Sequence, residues 1–244
     1  MSVFKFKKFS VVNERSAMKV NTDGVLLGAA MTILPEDRRL LDVGTGTGTI
    51  ALMAAQRLSD AGNGAVRIDA IDIDEASAVE AGQNFMDSLW SECLYAYHSS
   101  LEKFDAGLAP EVRYDHIFSN PPYFEDSLKA PDQRRNDSRH TSTGLSYREL
   151  LEFAASRLSE KGHLSVVLPA ETEDALARYA RMCGLHLFRI VRIRTVPRRQ
   201  PSRIVAEFSF ERCPQPLETQ VTIQEEGRYS DEYLALVRDF YLFA

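Results

Sequence analysis

The chain has few cysteines, no long apolar run and no surplus of basic charge, and each shortage excludes a class of protein. Its three cysteines lie far apart without a C-x-x-C pair, so neither a disulfide framework nor a zinc site is expected. The five histidines show no ligand spacing and no G-x-S-x-G occurs, so metal and serine-hydrolase chemistry lack support. The longest nearly apolar run, residues 24–34, is about half a bilayer span, which excludes a membrane helix.

The start of the chain also lacks the apolar core of a signal peptide, because apolar and polar residues alternate over residues 3–12. We therefore expect a cytoplasmic protein. Apolar residues make up 44% and charged residues 26% of the 244 residues, which excludes a disordered or fibrous chain. The expected organisation is a single, monomeric domain over residues 1–244, with an amino-terminal extension (residues 1–37) and a carboxyl-terminal tail (residues 214–244).

Acidic residues outnumber basic ones by 35 to 29, so the chain as a whole is not an obvious nucleic-acid binder. The basic residues are nevertheless concentrated in residues 189–203, which hold six arginines and no acid. This segment is either a strip that meets a polyanion or an edge strand whose arginines keep it soluble. The pattern alone leaves both interpretations open.

Short apolar runs alternate with helical patterns of ten to fifteen residues, which predicts an α/β fold. We expect a Rossmann-like, seven-stranded, mostly parallel sheet with helices on both faces. The predicted strands are residues 39–43, 65–72, 94–98, 115–119, 162–169, 187–196 and 204–210, after a strand or hairpin in residues 3–12. The predicted helices are residues 49–58, 75–86, 147–158, 171–183 and 230–243, with another between Asp23 and Pro35. The last two sheet strands form a hairpin, so one late strand is antiparallel.

A glycine-rich turn follows the strand over residues 39–43. Its sequence is Asp42-Val43-Gly44-Thr45-Gly46-Thr47-Gly48, at the sheet edge where α/β proteins bind ligands. Thr49 stands one residue beyond this G-x-G-x-G, where the dinucleotide fingerprint G-x-G-x-x-G requires its third glycine. The turn therefore suits a ligand whose bulk lies over the loop, rather than a pyrophosphate at the helix end.

Asp72 ends the next predicted strand, and a carboxylate there can accept both hydroxyls of a ribose. Either feature alone has a structural explanation, as a tight turn or as a capping aspartate. Together, in this order and spacing, they favour a ligand that carries a nucleoside.

The strand over residues 115–119 is followed by Asn120-Pro121-Pro122-Tyr123, with Phe124 next. A proline-stiffened loop accounts for the prolines but not for Asn120 or Tyr123. The Asn120 oxygen and the Pro121 carbonyl can together grip both hydrogens of a planar amine. Such a grip favours pyramidalisation and releases the amine lone pair towards an electrophile. Tyr123 and Phe124 offer a face on which a flat base can stack.

These residues resemble the class I S-adenosylmethionine-dependent methyltransferases that act on amines through an N-P-P-Y motif. Two further segments are similar to the bacterial tRNA1(Val) (adenine(37)-N6)-methyltransferase family: residues 18–28, MKVNTDGVLLG, and the terminal Phe240-Tyr241-Leu242-Phe243. The resemblance covers essentially the whole chain. It implies the class I methyltransferase fold, S-adenosylmethionine as cofactor, and methylation of adenine N6 in the anticodon loop of tRNA.

The resemblance also implies which residues of this chain form the site. Those that match the catalytic motif are Asn120, Pro121, Pro122 and Tyr123. Those that match cofactor contacts are Thr22, Asp23, Asp42, Gly44, Thr45, Gly46, Gly48, Asp72, Ile73, Ser100 and Asn120. Ser100 replaces an aspartate that contacts the adenine ring in many relatives, which weakens that contact. Asn21 stands where relatives commonly have glycine, and we expect little effect from that exchange.

Substrate contacts are expected at Tyr123 and Phe124, with tRNA phosphates meeting arginines in two segments. Arg134, Arg135 and Arg139 lie in the long segment between Tyr123 and Leu145, where segments of this length are often functional. A surface flap without a binding role is the alternative there, because acids cancel its charge. Arg198 and Arg199 are the expected contacts in the basic segment.

Three other functions remain open from the sequence. Enzymes with N-P-P-Y also methylate glutamine amides in proteins and guanine amines in ribosomal RNA, and labelled cofactor with each substrate would separate these activities. A nicotinamide dehydrogenase is disfavoured by Thr49, and failure to bind S-adenosylhomocysteine would revive it. A non-catalytic RNA-binding protein is disfavoured because all four motif residues are present.

Overall fold

An eight-stranded sheet forms the centre of the computed structural model, which describes residues 2–122 and 145–244. The strands are β1 (Val3–Lys5), β2 (Ser10–Val12), β3 (Arg39–Val43), β4 (Arg67–Asp72), β5 (Leu94–His98), β6 (Tyr114–Ser119), β7 (Leu158–Pro169), β8 (His186–Arg194), β9 (Arg203–Ser209), β10 (Leu217–Thr222), β11 (Gln224–Glu225) and β12 (Arg228–Tyr229). The α-helices are α1 (Thr22–Ala30), α2 (Thr49–Asp60), α3 (Glu75–Met86), α4 (Leu101–Gly107), α5 (Tyr147–Arg157), α6 (Glu173–Met182) and α7 (Asp231–Val237).

The sheet order is β10-β8-β9-β7-β6-β3-β4-β5, and β1-β2 and β11-β12 are separate hairpins. Only β9 runs against its sheet neighbours, being antiparallel to β7 and β8, while the other described pairings in this sheet are parallel. The predicted α/β fold, mostly parallel with one late antiparallel strand, is therefore confirmed.

Both faces of the sheet are covered, and its central strands β3, β4 and β6 are almost entirely buried. Along β3, Leu40 packs with the cluster that contains α1 and α2, whereas Leu41 packs with α5 and α6 on the other face. Both leucines are fully buried. The alternation of side chains along each strand thus divides the core into two layers.

Helix α1 is held at both ends by side chains. At its start, the Asn21 side chain caps the helix by accepting from the Gly24 amide at 2.8 Å. At its end, Arg189 donates to the Ala30 carbonyl at 2.7 Å and Arg57 to the Met31 carbonyl at 2.7 Å. These bonds satisfy backbone groups that a helix end leaves without partners.

The predicted number of seven strands is wrong, because β10 adds an eighth. It pairs in parallel with β8 and continues the sheet by one strand. Its first four residues, Leu217–Gln220, are exposed, so the segment lacks the apolar run that marks the inner strands. Its strand form comes from pairing with β8 and not from its own pattern.

The predicted helix over residues 230–243 is too long, since α7 ends at Val237. The residues that follow meet the amino-terminal hairpin instead. The Lys7 amide donates to the Phe240 carbonyl at 2.8 Å, and the Tyr241 ring stacks on Phe6 with a centroid distance of 5.9 Å. Contacts with the other end of the chain therefore override the local helical pattern.

Within residues 2–122 and 145–244, every helix is too short or too polar to cross a lipid bilayer.

Candidate active site

The predicted ligand-binding motifs meet at one edge of the sheet. Strands β3, β4 and β6 are parallel neighbours, and their carboxyl ends carry the glycine turn, Asp72 and Asn120 respectively. The chain proceeds from β3 towards β4 and β5 on one side and returns with β6 on the other. Such a reversal opens a crevice between the turns that follow the strands, where ligands bind in α/β sheets.

The glycine turn is held against the end of β4. The amides of Gly44 and Thr45 both donate to the Ile71 carbonyl at 2.9 Å. Gly44, Gly46 and Gly48 all have positive φ, between 56° and 80°. At Gly48 a Cβ atom would also lie 2.5 Å from the Phe85 ring. Glycine is therefore required at Gly48 both by its backbone conformation and by the close approach of α3.

Asp72 supports the same turn with its side chain. One carboxylate oxygen accepts from the Gly46 amide at 2.8 Å and the other from the Asp74 amide at 2.9 Å. Burial raises the pKa of this carboxyl above its ordinary value, and these two amide bonds oppose the shift. Each oxygen keeps a further lone pair that can accept a hydroxyl. The adjacent Ile73 side chain is 59% exposed and offers an apolar surface beside the carboxylate.

Asp42 lies beneath the turn and is fully buried. Its Oδ2 accepts from the Thr45 hydroxyl at 2.7 Å, whereas Oδ1 has no hydrogen-bond partner among the described residues. Burial raises the pKa of this carboxyl from 3.8 to about 7. Asp42 thus lies below the turn and is not among the residues that line the cleft.

Asn120 follows β6 directly and is only 6% exposed. The preceding Ser119 fixes the strand end by donating its hydroxyl to the Val43 carbonyl at 2.6 Å. The Asn120 amide nitrogen faces two atoms of the amino-terminal segment, Asn21 Oδ1 at 3.4 Å and Met18 Sδ at 3.7 Å. Asn120 and the glycine turn line the same cleft.

Residues 13–21, here called the amino-terminal segment, cover the glycine turn. Glu80 of α3 anchors this segment, because its carboxylate accepts from the backbone amides of three successive residues, Glu14, Arg15 and Ser16, at 2.7 to 3.1 Å. The cleft below is lined by Met18, Lys19, Val20, Asn21, Gly24, Gly44, Thr45, Gly46, Thr47, Thr49, Ile50 and Asn120.

Sequence reasoning did not select Met18 or Asn21 for this site. The signal that could have found Asn21 is its position before Thr22-Asp23-Gly24, since asparagine is a favoured helix cap. No local pattern marks Met18, because its place depends on the bonds between the amino-terminal segment and α3.

Three predicted cofactor residues have other contacts in this structure, and their cofactor role stays a prediction. Thr22 is exposed, and Asp23 accepts from Arg203 Nε at 2.8 Å. Neither lines the cleft, and the same is true of five other predicted cofactor residues: Asp42, Gly48, Asp72, Ile73 and Ser100. Ser100 caps α4, with its hydroxyl oxygen accepting from the Lys103 amide at 3.3 Å.

The predicted substrate residues Tyr123, Phe124, Arg134, Arg135 and Arg139 lie outside the described residues. Arg198 and Arg199 are exposed in the turn between β8 and β9. Strand β9 starts at this turn and pairs there with the end of β7, since Arg203 lies opposite Pro169. The turn is therefore at the same edge of the sheet as Asn120.

Two histidines come together despite their distance in sequence. His116 and His163 are paired on β6 and β7, and their ligand atoms lie within 4.8 Å of each other and of the buried Asp37. The rings stack at 3.9 Å with an interplanar angle of 25°. His116 Nε2 lies 2.8 Å from the Ser165 hydroxyl oxygen and His163 Nε2 lies 3.1 Å from the Thr32 carbonyl oxygen, so each ring already has a hydrogen-bond partner in the core.

Comparisons with known proteins agree with this geometry. Residues 16–178 match the family model described as "Methyltransferase small domain". A tRNA1(Val) (adenine(37)-N6)-methyltransferase from Parabacteroides distasonis is 41% identical over 240 residues, covering 98% of this chain and 97% of the relative. One of the same name from Vibrio campbellii is 38% identical, covering 98% and 95% respectively.

Solved structures share the fold at low sequence identity. A predicted O-methyltransferase from Agrobacterium tumefaciens superposes with a TM-score of 0.62 and 16% identity, covering 88% of this chain and 95% of its own. The CcbJ methyltransferase from Streptomyces caelestis has a TM-score of 0.50 and 15% identity, covering 77% and 93%.

Proposed function

The chain belongs to the tRNA1(Val) (adenine(37)-N6)-methyltransferase family, and on that premise we propose that it methylates the N6 amine of adenine 37 in tRNA1(Val), with S-adenosylmethionine as methyl donor. The observation that carries the proposal is the position of Asn120. It is buried at the carboxyl end of β6 and lines the same cleft as the glycine turn. An acceptor for an amine and a turn suited to a nucleoside thus share one crevice.

The residues around the turn fit S-adenosylmethionine. Asp72 can accept ribose hydroxyls, and the exposed Ile73 offers an apolar surface for a flat base. When bound, the cofactor supplies an electrophilic methyl group on a sulfonium. The glycine turn allows the backbone to approach it closely.

Asn120 and the Pro121 carbonyl then act on the target amine. An aromatic amine is a poor nucleophile because its lone pair is delocalised into the ring. Two fixed acceptors that hold its hydrogens favour the pyramidal form, in which the lone pair is free to attack. No strong base is needed at the start, since the nitrogen becomes acidic only after it has gained the methyl group.

The finer part of the proposal concerns the tRNA. The target base lies in the anticodon loop, where moving it out of its stack costs less than opening a duplex. Tyr123 and Phe124 stack on the base, and Arg134, Arg135, Arg139, Arg198 and Arg199 meet phosphates. The enzyme acts as a monomer.

The experiment that tests the substrate is methyl transfer from labelled S-adenosylmethionine to total tRNA from a strain that lacks the gene. We expect label in tRNA1(Val) only, and mass spectrometry of the digested tRNA should locate it at adenine 37. Parallel reactions contain ribosomes or a release factor as acceptor. Label in either of these, with none in tRNA, contradicts the proposal.

The role of Asn120 is tested by the substitution Asn120→Ala. Removing a preorganised acceptor of the reacting group should lower kcat by about 10²- to 10³-fold. The affinity for S-adenosylhomocysteine, measured by calorimetry, should stay within a few-fold, because the glycine turn and Asp72 are unchanged. Equal losses of turnover and of cofactor affinity would show that Asn120 serves the cofactor and not the amine.

A further inference from the structure

The side-chain amide of Asn21 has only one orientation that suits its surroundings. Its Nδ2 donates to the Lys19 carbonyl at 3.0 Å, and its Oδ1 accepts from the Gly24 amide at 2.8 Å. Turning the amide over would set an NH2 group against the Gly24 N–H and an oxygen against the Lys19 carbonyl. Two backbone groups therefore decide that Asn21 presents an oxygen to the cleft.

That oxygen in turn favours one orientation of the Asn120 amide. The Nδ2 atom of Asn120 faces Asn21 Oδ1 at 3.4 Å and Met18 Sδ at 3.7 Å. Both are acceptors, and a thioether sulfur has no proton to donate. With its amide turned over, Asn120 would set its own carbonyl oxygen against these two acceptors. Both neighbours thus favour the orientation in which Asn120 Oδ1 points away from Asn21.

We propose that Asn21 is a positioning residue for amine methylation, which holds the Asn120 amide so that its oxygen, and not its NH2 group, meets the target amine. The inference rests on the proposed function and names a further residue of the same site. In the opposite orientation Asn120 would offer donors to an amine whose own hydrogens need acceptors. Asn21 therefore matters to turnover, in contrast to the small effect expected from the sequence.

Two substitutions separate this role from helix capping. Asparagine, aspartate and serine cap helices about equally well, so Asn21→Ser and Asn21→Asp both keep the bond to the Gly24 amide. The serine hydroxyl is too short to reach Asn120 as well. The aspartate carboxylate keeps an acceptor at the position of Asn21 Oδ1. The two variants thus share the cap and differ in the contact with Asn120.

The experiment measures kcat and KM on total tRNA from the deletion strain for the wild type, Asn21→Ser and Asn21→Asp, with S-adenosylhomocysteine affinity by calorimetry. For Asn21→Ser we expect kcat to fall by about tenfold, as for loss of one orienting contact in a preorganised site. Affinity for S-adenosylhomocysteine should stay within about twofold, since the cap is kept. Asn21→Asp should retain at least about half of the wild-type kcat, because the acceptor remains.

Three outcomes would overturn the inference: wild-type kcat in Asn21→Ser, a loss confined to S-adenosylhomocysteine affinity, or Asn21→Asp as slow as Asn21→Ser. The wild-type reaction separates this failure from that of the proposed function. A wild-type protein that methylates no tRNA contradicts the function itself, whereas an active wild type with unaffected variants contradicts only the role of Asn21.

Discussion

The carboxyl group of Asp42 is buried without enough hydrogen bonds to stabilise its charge. Burial and the nearby charge of Asp72 raise the pKa by more than hydrogen bonds from the Thr45 hydroxyl and the Ala51 backbone lower it. In the folded protein the group therefore holds its proton to a pH of about 7, against 3.8 in the unfolded chain. Stability is therefore expected to fall as the pH rises from 3.8 towards 7, because over this range the unfolded chain releases the proton and the folded protein keeps it.

Comparison with Asp42→Asn isolates this effect. Because the folded pKa is the higher one, the contribution of Asp42 to stability is complete below pH 3.8 and is lost as the pH rises towards 7. The free energy of unfolding of the wild type, relative to the variant, should fall by up to about 1.4 kcal/mol per pH unit over that range. Urea unfolding of both proteins at pH 5, 6, 7 and 8 measures it. Parallel curves would mean that Asp42 titrates normally in the folded state.

Among the elements, α2 depends on how its first turn meets α3. Gly48 has a φ of 80°, and a methyl group at its Cβ position would lie only 2.5 Å from the Phe85 ring. Gly62, just after the same helix, has a φ of 79° but has no other group within 4 Å of its Cβ position. The two glycines therefore share the backbone conformation and differ only in the space around them.

Substituting each glycine by alanine separates conformation from packing. Gly62→Ala should cost about 1–2 kcal/mol, the cost of the left-handed conformation alone. Gly48→Ala should cost roughly 1–3 kcal/mol more, because the added methyl overpacks the Phe85 ring. Urea unfolding measures both. Equal losses would show that Phe85 moves aside freely, and the close approach of α3 would then have no energetic consequence.

The sequence predicts an element well where its own residues set both ends. Strand β3, helix α3 and strand β5 have the predicted bounds, and α3 begins at a local cap, with Asp74 accepting from the Ser77 amide at 2.9 Å. Strand β10 and the end of α7 could not be predicted, because β8 and the amino-terminal hairpin determine them. The pairing of β10 with β8 joins residues more than 20 positions apart, and the contact of the amino-terminal hairpin with the residues after α7 joins residues more than 200 positions apart.

At the scale of the whole molecule, three of the six arginines in the basic segment are neutralised by acids of the same chain. Arg189 pairs with the buried Glu207, Arg192 with Glu173 and Glu218, and Arg203 with Asp23. Arg194 donates to the Thr222 hydroxyl at 2.9 Å. These four arginines stabilise the fold through contacts within the chain. Of the six arginines in the basic segment, only Arg198 and Arg199 therefore remain as candidates for contact with a polyanion.

The double substitution of Arg198 and Arg199 by alanine tests whether these two residues contact tRNA phosphates. If each meets one phosphate, the slope of log affinity for tRNA against log salt should become shallower by about 1–2. Arg212 is the matched control, because it is equally exposed but follows the other end of β9. Arg212→Ala should leave the slope unchanged in filter-binding or anisotropy titrations. An unchanged slope in the double variant would exclude these arginines from the tRNA contact.

The site, like the fold, was predictable only where neighbours in sequence form it. The glycine turn, Asp72 and Asn120 are each found at the end of a recognisable strand, and parallel pairing brings them to one edge. Met18 and Asn21 were not predicted as site residues, because about a hundred residues separate them in sequence from Asn120, which they contact. A single sequence holds no pattern for contacts of that separation.

One side of the cleft is made by residues 18–21, and their position depends on the three amides that Glu80 receives. Docking of the beginning of the chain and occupancy of the crevice are therefore thermodynamically linked, so each must strengthen the other. Cofactor bound in the crevice is therefore expected to stabilise the docked position of the amino-terminal segment. Hydrogen exchange at the Glu14, Arg15 and Ser16 amides is expected to slow as the crevice fills, so its rate would report cofactor binding.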